Sequence, residues 1–140
     1  MSGFDLQKLV DTIGNAARNA RSDYHLTLGR IIPLLEAAPT DLPVRFDWNE
    51  AFPNEAMSYR GYYSDLAFDW SDDPKTVGSF LAVCKAALGQ TYTGYKGGDF
   101  TMGADTPLWA SPYGSGGGRA IMGLQIDGEK ATLVTKEIER

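Results

Sequence analysis

The sequence has very little of what builds common catalytic and metal centres. Its 140 residues include a single cysteine, Cys84, and a single histidine, His25. An internal disulfide is therefore excluded, and a zinc site of the usual cysteine and histidine type is not expected. No Gly-x-Ser-x-Gly motif marks a serine nucleophile, and no Gly-x-x-x-x-Gly-Lys-Ser/Thr motif marks a phosphate-binding loop. We therefore predict no catalytic residues, no metal and no cofactor.

Positive charge and long apolar segments are also scarce. The chain carries 13 lysines and arginines against 18 aspartates and glutamates, a net charge of −5. This balance argues against general nucleic-acid binding, because neutralising phosphates requires a basic face. The apolar stretches are too short to cross a bilayer, and the start Met1-Ser2-Gly3-Phe4-Asp5 is unlike a secretory signal. We expect a cytoplasmic protein with no membrane partner.

Length and composition are those of one globular domain over residues 1–140. Hydrophobic residues make up 43% of the chain and charged residues 22%, close to the averages for soluble proteins. We place an N-terminal helix at about 4–20 and an α+β core at about 27–138. Cys84 lies in the apolar segment 80–88, where we interpret it as a small buried hydrophobe.

Apolar residues recur at helical spacing in three segments, 4–20, 28–38 and 77–88. Thr27 and Thr76 are placed to cap the second and third helices, and Gly89 to end the third. Pro33 lies inside the second helix, where it removes a hydrogen bond and clashes with the preceding turn. We expect that helix to be kinked, or short and distorted.

Strand patterns dominate the later part of the chain. Alternating or β-branched residues predict strands, and Asp127-Gly128 is a strong hairpin signal between the last two. The predicted strands are 44–48, 61–70, 92–95, 108–113, 119–127 and 130–138. Helices early and antiparallel strands late favour an α+β two-layer domain, with a mostly antiparallel sheet of five or six strands and two or three helices.

The segment Ser58-Tyr59-Arg60-Gly61-Tyr62-Tyr63-Ser64-Asp65 is poor core material. Tyrosine beside arginine offers a flat stacking face, a hydroxyl and a fixed positive charge, which suit an anionic or nucleotide-like ligand. On a regular strand, Tyr63 and Asp65 would share one face, and Tyr62 and Ser64 the other. The alternative is an edge strand whose exposed tyrosines pair across the sheet.

A second such segment is Gly94-Tyr95-Lys96-Gly97-Gly98-Asp99. Its glycines permit turns whose backbone N–H groups can surround an anion, with Lys96 as the charge, although a plain flexible turn explains them too. The glycine-rich residues 114–118 precede a strand, so we interpret them as a mobile hairpin loop or a lid, with Arg119 as its useful charge. The candidate ligand-binding residues are Tyr59, Arg60, Tyr62, Tyr63, Asp65, Tyr95, Lys96, Asp99 and Arg119.

Other conspicuous residues have simpler interpretations. Trp48, Trp70 and Trp109 fall at strand positions, where packing in a core or an interface is the usual role. His25 is expected at a helix boundary. Several aspartates could supply carboxylate pairs or hold a divalent ion, although turns and helix caps account for most of them. These are Asp47, Asp65, Asp69, Asp72, Asp73, Asp99 and Asp105.

Between about Thr27 and Tyr113 the chain resembles a family of small uncharacterised bacteriophage proteins. The resemblance is carried by Thr27-Leu28-Gly29, by Ser58-Tyr59-Arg60-Gly61-Tyr62-Tyr63 with Leu66-Ala67-Phe68, by Thr76-Val77-Gly78, and by Gly94-Tyr95-Lys96-Gly97-Gly98-Asp99-Phe100-Thr101-Met102. It implies a viral source and expression in the cytoplasm of a bacterial host. Small phage proteins of this kind often antagonise host defence, by sequestering a nucleotide signal or by masking a host protein.

These observations favour a non-enzymatic binding protein that sequesters a nucleotide-like immune signal. Tyrosines would contact bases and ribose, and Arg60 and Lys96 would meet phosphate. Sites shared between subunits are common in such proteins, so we expect a homo-oligomer. One alternative is a protein–protein inhibitor of a host defence effector, with the tyrosines as interface anchors. A second is a metal-dependent hydrolase of a nucleotide signal that uses the aspartates.

Overall fold

The computed structural model describes residues 25–59, 62–93, 98–111 and 118–137, without the side chain of Tyr62. The predicted helix at 4–20 and most of the glycine-rich loop at 114–118 lie outside these residues. Within them the chain forms two helices and eight strands. In chain order they are α1 (Leu28–Glu36), β1 (Val44–Phe46), β2 (Phe52–Tyr59), β3 (Tyr62–Ser71), α2 (Val77–Ala87), β4 (Thr91–Thr93), β5 (Asp99–Thr101), β6 (Leu108–Ala110), β7 (Arg119–Ile126) and β8 (Ala131–Lys136).

Six strands form one mixed sheet in the order β1-β8-β7-β6-β3-β2, and β4 and β5 form a separate two-stranded ribbon. The pairs β1–β8 and β3–β6 are parallel, and the other neighbours are antiparallel. The helices cover one face of the large sheet. This arrangement confirms the expected α+β two-layer fold.

The main core lies between the two helices and the large sheet. Helix α1 contributes Leu28, Ile31 and Leu35, which lie on one helical face. Helix α2 likewise contributes four side chains from one face, those of Val77, Phe80, Cys84 and Ala87. Cys84 is one of the latter and is fully buried, which confirms its interpretation as a small hydrophobe. Burial raises the pKa of its thiol, so the thiol is not reactive near neutral pH.

The large sheet curls until its two outer strands, β1 and β2, lie in contact. Three aromatic rings hold this closure. Trp48 packs against Phe46 and Trp70 with ring centroids 5.2 Å and 5.1 Å apart, and Phe46 and Trp70 are 6.0 Å apart. The Arg45 guanidinium lies 4.7 Å from the ring centre of Phe52. Two of the three tryptophans therefore pack where the sheet closes.

The outer edge of β1 is occupied by backbone from two loops. The amide of Val44 donates to the Lys75 carbonyl at 2.9 Å, and the amide of Phe46 donates to the Ala51 carbonyl at 3.2 Å. On its other side β1 pairs with β8. The strand is therefore hydrogen-bonded along both edges although it ends the sheet order.

The structure confirms most of the predicted features of the two described helices. Thr76 caps α2, because its side chain accepts a hydrogen bond from the Ser79 amide, and Gly89 follows that helix with a φ of 82°. Thr27 holds the equivalent position before α1, but its hydroxyl makes no capping bond; its backbone carbonyl accepts from the Ile31 amide instead. Helix α1 contains Pro33 and is short, nine residues, as expected.

The sequence patterns do not predict two of the strands, β2 and β5. Strand β2 contains Pro53 and Asn54, which are depleted in strands, and β5 is only three residues long beside a glycine. The predicted strand 92–95 is found at Thr91–Thr93, and 108–113 is shortened to Leu108–Ala110. The Asp127-Gly128 signal is confirmed by the loop between β7 and β8. In the described part of the chain, neither helix has the length and apolar character needed to cross a membrane.

Gly29 provides a test of how closely α1 packs on the following loops. A Cβ atom at this position would lie 2.7 Å from the Ala104 Cβ and 2.8 Å from the Ala104 carbonyl oxygen. We expect Gly29→Ala to lower the free energy of unfolding by about 1–3 kcal/mol through overpacking, measured by urea denaturation. Gly123→Ala is the matched control, since nothing lies within 4 Å of its added Cβ. Equal stability of the two variants would contradict the packing.

Asp127 provides a test by pH. Its Oδ1 accepts from the amides of Glu129 at 2.7 Å and Lys130 at 2.9 Å, and these bonds, that of Glu129 foremost, lower the pKa of the carboxyl. A lowered pKa in the folded state stabilises the protein above the pKa of the unfolded chain and ceases to do so as the pH falls through the folded value.

We therefore expect Asp127→Ala to be less stable than the wild type at neutral pH. The gap should narrow in acid, below about pH 4 where aspartate begins to protonate. Urea unfolding at several pH values measures both effects. Asp127→Asn keeps an oxygen acceptor without a charge, so its stability relative to Asp127→Ala should not change with pH. A constant gap between wild type and Asp127→Ala would contradict the role of the charge.

Candidate functional site

The two cationic tyrosine and glycine segments belong to hairpins that touch. Residues 60–61 connect β2 to β3 along the chain, and residues 94–97 connect β4 to β5. Tyr63 at the start of β3 contacts Phe100 of β5, with ring centroids 5.7 Å apart. Arg60, Tyr95, Lys96 and the side chain of Tyr62 lie outside the described residues.

An irregularity in the β2–β3 pairing sets the surroundings of Tyr63. Ser58 is opposite Leu66, but the next residue, Tyr59, is opposite Tyr62, so residues 63–65 of β3 have no register partner on β2. The Ser58 hydroxyl donates to the Tyr63 carbonyl at 2.5 Å within this bulge. Such bulges re-aim side chains. Tyr63 turns to Phe100 and is half-buried, whereas Asp65 is completely buried.

Tyr59 and Asp65 lie in a buried cluster on the sheet face opposite the helices. Trp109 is its centre: its Nε1 donates to Asp65 Oδ2 at 2.9 Å, and its ring stacks on Tyr59 with centroids 4.4 Å apart. His25 contacts the same indole edge-on at 4.5 Å, and the Tyr59 hydroxyl accepts from the Gly118 amide at 3.0 Å. Tyr59 is 1% exposed and Asp65 is 0% exposed, so both of these predicted site residues belong to the interior.

Asp99 lies on the outer face of the β4–β5 ribbon. Its Oδ1 accepts from the Thr93 hydroxyl at 3.1 Å, and beside this pair the hydroxyls of Thr91 and Thr101 are 2.8 Å apart. Phe100 alternates with these residues and therefore faces the core. The structure thus does not bring the Asp99 carboxylate to the contact between Phe100 and Tyr63.

Arg119 belongs to the closure of the sheet. Its Nε donates to the Thr135 hydroxyl at 2.9 Å, and that hydroxyl donates to Asp47 Oδ1 at 2.6 Å. The guanidinium also lies 5.2 Å from the ring centre of Trp48 and pairs with Glu137 at 3.4 Å. Trp48 packs on Trp70, seven residues along β3 from Tyr63, a span of roughly 20 Å. Arg119 is therefore held away from the two touching hairpins.

An open groove of about 600 Å³ lies between β2, α2 and β4. Its floor is alkyl, formed by Ala56, Val83, Ala86 and Ala87, and its rim carries varied polar groups. The rim residues are Asn54, Glu55, Lys75, Gln90 and Tyr92. A concave apolar surface with a few polar groups around it is the usual form of a small-molecule site.

A second bulge builds the β2 wall of this groove. Pro53 is opposite Trp70 and Ala56 is opposite Phe68, so Asn54 and Glu55 together face the single residue Asp69. The Glu55 amide, which the bulge removes from the ladder, donates to Asp69 Oδ1 at 2.7 Å. Two consecutive residues that would point to opposite faces of a regular strand therefore both line the groove.

Tyr92 connects the groove to the hairpin contact. It is the register partner of Phe100 in the β4–β5 ribbon, and directly opposite residues share a face. Phe100 in turn contacts Tyr63, so three aromatic residues run from the groove to the start of β3. Partial burial raises the pKa of the Tyr92 phenol, which keeps it neutral and able to donate a hydrogen bond at physiological pH.

Sequence reasoning missed all the groove residues. The sequence patterns predict Tyr92 only as the start of a strand, and Asn54, Glu55, Lys75 and Gln90 lie outside every predicted helix and strand. The bulge that exposes Asn54 and Glu55 is a property of the β2–β3 register, which local sequence does not encode. Asp69 is one of the aspartates for which the sequence suggests a turn or a cap, but its side chain accepts from the Glu55 amide in the bulge.

Within residues 25–59, 62–93, 98–111 and 118–137, no three histidine, cysteine, aspartate or glutamate side chains are grouped so that they could hold a metal ion. Comparison of the chain with protein-family models, with curated proteins and with solved structures finds no match.

The buried cluster gives a stability prediction. Trp109→Phe keeps an aromatic ring but removes the indole N–H that donates to a fully buried carboxylate. We expect the free energy of unfolding to fall by about 1–3 kcal/mol, the usual effect of removing a buried hydrogen-bond donor. Trp48→Phe makes the same change of ring and is the control. Trp48 is 37% exposed, and its indole N–H donates no hydrogen bond within the described residues. If Trp48→Phe is the more destabilised in urea, the Trp109–Asp65 bond is not important for stability.

Proposed function

We propose that this protein is a non-enzymatic binding protein for a nucleotide-like anion, held where the β2–β3 and β4–β5 hairpins meet. The observation that carries the proposal is the ring contact between Tyr63 and Phe100 at 5.7 Å. It joins the two hairpins that carry the segments 58–65 and 94–99, each of which sets a cation among tyrosines and glycines.

Chain length limits how far the two cations lie from this contact. Arg60 precedes Tyr63 by three residues and Lys96 precedes Phe100 by four. A fully extended chain spans at most about 3.6 Å per residue, so their backbones lie within about 11 Å and 14 Å of the contacting residues. Both cations can therefore serve one ligand of nucleotide size, in which phosphate oxygens accept charge-assisted hydrogen bonds.

Sequestration requires affinity but no reacting group, which suits a sequence without a recognisable catalytic motif. The resemblance to bacteriophage proteins supplies the biological setting. A phage protein in the bacterial cytoplasm that binds a nucleotide immune signal would act as a counter-defence factor. The expected homo-oligomer belongs to the same hypothesis, because subunits that share sites can enclose a ligand.

We expect purified protein to be stabilised by at least one member of a panel of linear and cyclic nucleotides. A ligand at one hundred times its dissociation constant adds about 2.7 kcal/mol to the free energy of unfolding, which raises the melting temperature measurably. Arg60→Ala and Lys96→Ala should each weaken binding about tenfold or more, since a hydrogen bond to a charged group contributes about 1.5–3 kcal/mol.

Lys130→Ala is the control for the loss of one positive charge, because Lys130 lies in the β7–β8 loop on another part of the chain. It should bind like the wild type. If no nucleotide shifts the melting temperature, the proposal fails. A stoichiometric protein partner recovered from host lysate would then support the alternative of a protein–protein inhibitor.

A further inference from the structure

The groove between β2, α2 and β4 has opposite charges on its rim. Glu55 stands on the β2 side and Lys75 on the segment that leads into α2. Within the described ranges neither side chain belongs to an ion pair or any other side-chain interaction. Both charges are therefore available to a ligand in the groove. Such a ligand must offer hydrogen-bond donors to Glu55 and a negative charge to Lys75.

Both charged residues are held at their backbones. The bulge fixes Glu55 through the bond from its amide to Asp69 Oδ1, and the Lys75 carbonyl accepts from the Val44 amide at 2.9 Å. Gln90 is fixed as well, since its amide donates to the Ala87 carbonyl and its carbonyl accepts from the Met102 amide, both at 3.0 Å. A rim with an anchored backbone loses less conformational entropy when a ligand binds.

The surface between the two charges suits a flat ring. Ala56, Ala86 and Ala87 present small side chains, and Val83 is the largest of the floor residues. Tyr92 adds an aromatic ring on the β4 side, and bases stack on aromatic side chains whatever their sequence. The volume of about 600 Å³ lies within the usual range for small-molecule sites.

We propose that this groove binds a guanine mononucleotide unit, with the base read by Glu55 and the phosphate met by Lys75. The groove is a second site beside the hairpin contact, to which Tyr92 and Phe100 connect it, so the inference goes beyond the proposed function and leaves Arg60 and Lys96 to the hairpin site. An ionised carboxylate only accepts hydrogen bonds and has two oxygens to do so. Guanine carries two adjacent donors on one edge, its ring N1–H and its 2-amino group, next to the O6 acceptor that the side-chain amide of Asn54 can serve.

Adenine and hypoxanthine each lack part of this match. Adenine has an acceptor at ring N1, where the Glu55 carboxylate requires a donor. Hypoxanthine keeps the ring N1–H and O6 but has no 2-amino group, so it fills only one of the two carboxylate oxygens. Inosine monophosphate therefore differs from guanosine monophosphate by the one group whose recognition is in question.

The test is calorimetric titration of the full-length protein with guanosine, inosine and adenosine 5′-monophosphates and with guanosine. We expect guanosine monophosphate to bind about tenfold more tightly than either other nucleotide. Glu55→Gln should reduce that preference to within about threefold, because an amide offers one acceptor and one donor group. Lys75→Ala should remove the advantage of guanosine monophosphate over guanosine and leave base preference intact.

Glu129→Gln and Lys130→Ala change the same charges in the β7–β8 loop and should leave both preferences unchanged. The inference is overturned if nucleotides bind without preferring guanine, or if Glu55→Gln binds with the wild-type preference. The inference is also overturned if Glu55→Gln weakens the binding of all three nucleotides equally while the melting temperature of the protein is unchanged. If no nucleotide binds at all, the proposed function fails and this inference fails with it.

Discussion

The structure depends on the pairing of two strands of unequal length. Strand β2 has eight residues and β3 has ten, yet they pair from Phe52 with Ser71 to Tyr59 with Tyr62. The difference of two residues is the balance of two bulges, one that adds a residue to β2 and one that leaves three residues of β3 unpaired. The one near Pro53 turns Asn54 and Glu55 into the groove, and the one after Ser58 sends Tyr63 to Phe100 and places Asp65 below Trp109. Groove, hairpin contact and buried cluster all follow from this one imperfect ladder.

A second constraint keeps the ladder in shape. The curl of the sheet is held where Trp48 packs between Phe46 and Trp70, and a polar chain from Arg119 through Thr135 to Asp47 lies beside it. These contacts place the Arg119 guanidinium over the Trp48 ring. A cation in a glycine-rich context can thus be structural, because it covers an aromatic ring and joins a hydrogen-bonded network.

The fold class and most elements could be predicted because they depend on local patterns. The apolar stripe of α2 and its Thr76 cap, the buried Cys84 and the Asp127 loop are all set by residues within one turn or hairpin. The features that could not be predicted depend on contacts between residues far apart in sequence. Asp65 is fully buried, where it accepts a hydrogen bond from Trp109, 44 residues away in the sequence. Likewise, the groove requires a register between β2 and β3, and the position of Tyr92 against α2, that no single segment encodes.

The hydrogen bonds on the outer edge of β1 have a consequence for assembly. Open edges of β-sheets recruit strands from other molecules, and proteins that reach high concentration must block them. Here the outward amides of Val44 and Phe46 are already taken by the Lys75 and Ala51 carbonyls of the same chain. Copies of this protein that associate at this edge must therefore meet through side chains and not by extending the sheet, so a high protein concentration would not drive them into fibres along it.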